Sequence, residues 1–186
     1  MRNIPAALSW VLAVALWTIP AVAAMSDKEK TELAPVVSSS KVTLEQGLAA
    51  SKKNGKPVSA KFEVENGQPR LSVYTIKDGS KYFEVIVDQT SGEIAKADPI
   101  TGGDDLTEAK KQNDGMFRAT RELREAVKEA KRDNPGYNAV SVWSDAVSVW
   151  SEMKDNHSVA TVTLVKDNDW KIAVIDLTVY KPLIKE

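Results

Sequence analysis

Polar and apolar residues alternate cleanly from Val58 to Glu65: Val58, Ala60, Phe62 and Val64 against Ser59, Lys61, Glu63 and Glu65. That period of two predicts a strand with one buried face. Asn66-Gly67 follows as a hairpin turn signal. Arg70–Ile76 predicts the second strand, Asp78-Gly79 the second turn and Lys81–Asp88 the third strand, with Phe83, Val85 and Val87 on one face. Asp88–Gly92 reads as a tight turn, and a return strand starts at Glu93. A short helix precedes these strands. Thr43 is its N-cap, Gln46 completes a capping box, and Lys52-Lys53-Asn54-Gly55 ends it. Pro99, Gly102 and Gly103 mark a boundary.

The order then repeats. Leu106–Gln112 predicts a helix broken at Asn113-Asp114-Gly115. Met116, Thr120, Leu123, Val127 and Ala130 share one face of a second helix. Arg118, Arg121, Glu122, Glu125, Lys128 and Glu129 form its solvated, charge-laced face, and Asp133-Asn134-Pro135-Gly136 stops it. Strands are expected over Tyr137–Val149, Ser158–Val165 and Trp170–Tyr180. Leu44–Leu48 aligns with Leu123–Val127, and Tyr82–Asp88 aligns with Trp170–Asp176. The fold class is therefore α+β: two tandem modules at 41–100 and 104–186, each a helix packed on an antiparallel meander. Each is too small to be robust alone, so the two are expected to pack together.

The N-terminus is different material. Arg2 is followed by an apolar run, Ile4–Ile19, and by Ala21-Val22-Ala23, a small-x-small cleavage pattern. The run is shorter than the ~20 residues of a spanning helix. Residues 1–24 thus read as a signal peptide rather than a retained anchor, and the mature chain as exported, periplasmic or secreted, with no stable membrane span. Residues 25–40, with Pro35 and Ser38-Ser39-Ser40, lack periodicity and read as a flexible leader.

Composition narrows the chemistry. The chain has no cysteine, and its formal net charge of -1 offers no field for nucleic acid. His157 is the single histidine. It lies in the polar stretch Met153–His157 near Asp155 and reads as a solvated loop residue, since one imidazole cannot build a zinc site. Asp104-Asp105 and Asp167-Asn168-Asp169 lack the calcium-loop pattern and suit a helix N-terminus and a turn. No nucleophile elbow, S-x-x-K motif or phosphate loop is present. No catalytic, metal or cofactor residues are assigned, and the chain reads as a non-enzyme.

Ser141-Val142-Trp143 recurs as Ser148-Val149-Trp150. Seven residues apart on one strand, the two indoles face opposite sides unless a bulge at Ser144-Asp145 restores the phase. Either both are core, or one is an exposed anchor for a protein partner. Trp143, Trp150, Trp170 and Tyr82 are the possible partner contacts.

Tyr82-Phe83-Glu84-Val85-Ile86-Val87-Asp88 with Thr90-Ser91-Gly92-Glu93-Ile94, the helix Thr43–Ala50 and the hairpin at Asn66-Gly67 resemble the PepSY domain family. Glu84 and the extra Ser91 depart mildly from the family pattern. The second module looks like a diverged copy without the Thr-Gly turn. The resemblance implies a helix on an antiparallel sheet, in secreted or membrane-attached proteins. It also implies a peptidase-inhibiting or peptidase-regulating role, as in metalloprotease propeptides, with no catalytic residues to carry over. The expected function is binding and regulating a peptidase or other envelope protein. The alternative is a small-ligand or envelope-sensing module.

Overall fold

A computed structural model describes residues 25–148 and 156–178. The expected signal peptide and Trp150 lie outside them. The described residues form four α-helices and a seven-stranded antiparallel sheet, an α+β fold. α1 is Asp27–Ser39 and α2 is Leu44–Ser51. β1 is Lys56–Glu65, β2 Gln68–Lys77, β3 Lys81–Val87 and β4 Ile94–Ile100. α3 is Gly103–Gly115 and α4 Leu123–Asp133. β5 is Asn138–Ser148, β6 Asn156–Lys166 and β7 Asp169–Asp176.

The sheet order is β4-β3-β2-β1-β5-β6-β7. The two meanders therefore fuse edge to edge. β1 and β5 pair antiparallel through Ser59 with Trp143, Ala60 with Val142 and Lys61 with Ser141. Turn chemistry sets the hairpins: Asn66, Gly67, Asp78 and Gly79 all take positive φ, which short hairpin loops require and which these residue types tolerate. β2 is buried from Leu71 to Ile76, on both faces, as befits a strand covered on two sides. Leu71 and Val73 face α2, where a Cβ on Gly47 would come within 2.6 Å of Leu71 Cδ2. Ser72 and Tyr74 face the other way, and the Tyr74 hydroxyl donates to Asp105 in the first turn of α3 at 2.7 Å.

Four expectations are corrected. The leader is a helix. Ser26 accepts from Glu29 N, and the Glu29 carboxylate accepts from Ser26 N, closing a capping box. Leu33, Ala34 and Val37 are buried, and this tertiary packing overrides the cost of Pro35 inside the helix. Second, α3 runs through Asn113-Asp114 to Gly115, and 116–122 is not helical. Its N–H groups are used elsewhere: Arg118 N donates to Ser158 Oγ, and Thr120 N and Arg121 N donate to Leu177 O. Third, Arg121 and Glu129 do not lie on a solvated face. Their side chains are 8% and 9% exposed and pair at 2.5 Å. Fourth, β7 ends at Asp176 instead of running on to Tyr180. The Asp176 carboxylate accepts from Thr178 N at 2.7 Å and from Thr178 Oγ1 at 2.6 Å, a local bond that competes with the ladder.

Candidate functional site: a groove over the strand junction

The face of the sheet opposite α2 carries a cavity of about 720 Å³. Register builds its floor. Ser59, Lys61 and Glu63 of β1 share a face with Tyr74 and Ser72 of β2 and with Trp143 and Ser141 of β5. Thr163 of β6 lies opposite Ser141, and Ile172 of β7 opposite Thr163, so both continue that face. Leu33 of α1 and Asp105, Glu108 and Lys111 of α3 complete the lining, with Trp170 at the β7 end.

Several polar groups on this face are already satisfied. Lys61 and Glu63 pair at 2.6 Å. Ser72 Oγ donates to Glu84 at 2.7 Å. Burial and the Asp105 carboxylate hold the Tyr74 phenol far above its ordinary pKa, so it stays a neutral donor. What remains for a ligand is indole and aliphatic surface with a charged rim. No group of three or more His, Asp or Glu side chains among the described residues could hold a metal. No helix among them is long and apolar enough to cross a membrane.

Two of the four aromatic residues singled out from the sequence meet here: Trp143 and Trp170 line the same groove. Tyr82 does not join them. It is 8% exposed and belongs to the core, so it offers a partner no surface. The register shift of β5 falls between Ala139 and Ser141, not at Ser144-Asp145. Sequence reasoning missed Leu33, Glu108 and Lys111. It had taken α1 for a leader, and it had no means of placing α3 across the sheet.

The lone histidine is also not where it was expected. His157 lies on β6, half-buried, with Nδ1 3.2 Å from Asp176 Oδ2 and 3.1 Å from Thr178 Oγ1. Asp176 therefore orients it. In the first half of the chain, Asp88 likewise follows the end of its strand and accepts from Thr90 N, Ser91 N and Ser91 Oγ.

Both carboxylates respond to these donors. Hydrogen bonds from Ser91, backbone then side chain, and then from Thr90 hold Asp88 below its ordinary 3.8. Burial pushes Asp176 up, but the bonds from Thr178 and His157 outweigh it, and its pKa also lies low. A depressed folded pKa means stability that is full above the unfolded value and lost as pH falls through the folded one. Both groups should therefore steepen the acid limb below about pH 3.8. Asp176→Asn and Asp88→Asn should each flatten that limb, read as urea midpoint against pH. An unchanged limb would refute these bonds.

The Asp88 turn closes a segment that comparison recognises. Residues 41–98 match the family model described as "Peptidase propeptide and YPEB domain", PepSY. The match covers less than a third of the chain. The match starts just before the Thr43 cap and ends inside β4, so it takes in α2 and the first meander. The description of that family names peptidase propeptides. Searches of curated proteins and of solved structures return no match. The groove floor is thus shared: β1 and β2 come from the segment that matches PepSY, and Trp143 and Trp170 from the segment after it.

Proposed function

We propose that this chain is an exported, non-enzymatic binding protein whose PepSY domain regulates, by inhibition, a peptidase or another envelope protein. The observation that carries this reading is the convergence of Trp143 and Trp170 on one groove beside the PepSY strands. Large, rigid aromatics in a concave site are the residues that dominate protein contacts. The signal-peptide pattern of residues 1–24 supports export, and the propeptide association supports a peptidase as partner.

On this reading residues 104–186 are a second, diverged PepSY-like module. Support comes from the repeated helix-then-meander order, from Asp78 and Asp167 both at positive φ in equivalent turns, and from the matched roles of Asp88 and Asp176.

The test is a titration of the purified protein into peptidases of the same envelope. Inhibition is expected, and Trp143→Ala should weaken it by roughly 30-fold or more, the scale of an interface hot spot. Inhibition of none of them, or inhibition indifferent to Trp143, would overturn the reading. One observation favours a second reading, a small-ligand or sensing module: about 720 Å³ falls within the size range of small-molecule sites. Native mass spectrometry separates the two, since a small-molecule site predicts a stoichiometric low-mass adduct.

A further inference from the structure

The two edges of the sheet are built differently. β4 carries Lys96 and Asp98, paired at 2.5 Å, and Pro99, which has no N–H to offer. Such residues block the addition of another strand. β7, the other edge among the described residues, has no proline and no acidic residue between Trp170 and Ile175. Its one charged residue there, Lys171, holds its ammonium over the Tyr137 ring, 4.4 Å from the centroid. Ile172 and Val174 are 45% and 53% exposed, two of the three large exposed hydrophobic side chains among the described residues. An apolar strand edge is a template for strand pairing.

This edge is also complementary to itself. Consider β7 paired antiparallel with β7 of a second copy, centred on Ala173. Ile172 then lies opposite Val174 of the second copy, on both sides of the axis and on the groove face. Lys171 falls opposite Ile175 and Trp170 opposite Asp176, so no like charges meet. Centring on Lys171 would instead oppose two ammonium groups, which destabilises a strand pair. The chain already contains a junction of this kind. β1 and β5, each the first strand after a helix, pair antiparallel at the middle of the sheet.

We infer that two copies of this chain associate through β7, fusing two seven-stranded sheets about a two-fold axis. Trp170 and Ile172 line the groove, so the junction joins the grooves of both copies into one continuous surface. A symmetric partner peptidase or a long extended segment would meet both at once.

Sedimentation velocity of the isolated protein over a concentration series tests this. A reversible dimer is expected. Val174→Lys should raise its dissociation constant by about 10-fold or more, with the circular-dichroism spectrum unchanged. The chain has no cysteine, which provides a second readout that does not depend on that variant. Antiparallel strands hold opposed Cα atoms ~4.5–5.5 Å apart, within disulfide reach, so Ala173→Cys should form a disulfide-linked dimer on mild oxidation. Ala97→Cys on β4 should not. A monomer at every concentration would overturn the proposal. So would a dimer that ignores Val174→Lys and is not trapped at position 173.

Discussion

Arg121→Met is expected to destabilise the fold by about 3–5 kcal/mol, the scale of breaking one side of a buried ion pair. Arg121 Nη2 meets Glu129 Oε2 at 2.5 Å, and Nη1 donates to the Asp176 carbonyl at 3.0 Å. Both side chains of the pair are almost fully buried. Methionine fills much of the volume but satisfies neither acceptor. It removes the guanidinium that pairs with the buried Glu129 carboxylate. The penalty is therefore the loss of that buried pairing rather than lost packing. The double variant Arg121→Met/Glu129→Leu should recover most of the loss, because exchanging both partners for apolar groups removes the buried charge together with its partner. Urea midpoints of the three proteins at pH 7 measure this. A single variant within 1 kcal/mol of the parent, against the ~3–5 expected, would mean the pair is solvated. The site matters because Arg121 ties the start of α4 to the end of β7, where the backbone N–H groups of Thr120 and Arg121 also reach Leu177 O.

Leu71→Ala should cost about 2–5 kcal/mol, toward the upper end of that range. Leu71 has no exposure and lies beneath α2. The residue above it is Gly47, which has no side chain to move into the space left behind. The complementary change, Gly47→Ala, should also destabilise. Its methyl would lie 2.6 Å from Leu71 Cδ2, and the clash outweighs the ~1 kcal/mol that alanine gains over glycine in a helix. Together the two should compensate, because the added methyl occupies the space Leu71 vacates. A double-mutant cycle should therefore give a coupling of roughly 1–3 kcal/mol in favour of the pair. Simple additivity would show that α2 does not press on β2 as described.

Much of the fold was legible because its signals are local. The alternation of β1, the positive-φ turn pairs and the Thr43–Gln46 capping box all depend on residues within a few positions of each other. α1 was not legible, because Pro35 and the serine run are local signals for a loop. The burial of Leu33 and Val37 that overrides them comes from residues far along the chain. Arg121 and Glu129 were misread for a similar reason. Eight positions apart, they share the charged face of the helix that the sequence predicts, and nothing local shows that this face is buried.

The groove was half legible. Trp143 and Trp170 stood out by type, yet Tyr82 stood out equally and proved to be core. Ser59, Lys61 and Glu63 are visible in the sequence only as the polar positions of an alternating strand. The lining helices cross over that face, and nothing in the strand itself encodes what covers it. The fusion of the two meanders through β1 and β5 rests on long-range pairing, which alternation cannot reveal.

The central proposal is that the protein meets its partner at this groove. Its most direct test is a photo-crosslinking amino acid at position 143 of the protein in the cell that makes it. The same group at position 96, on the far edge of the sheet, serves as the control. Position 143 is expected to give one dominant adduct with a peptidase or another envelope protein, and position 96 should give none. No protein adduct at position 143, or equal adducts at both positions, would contradict the account.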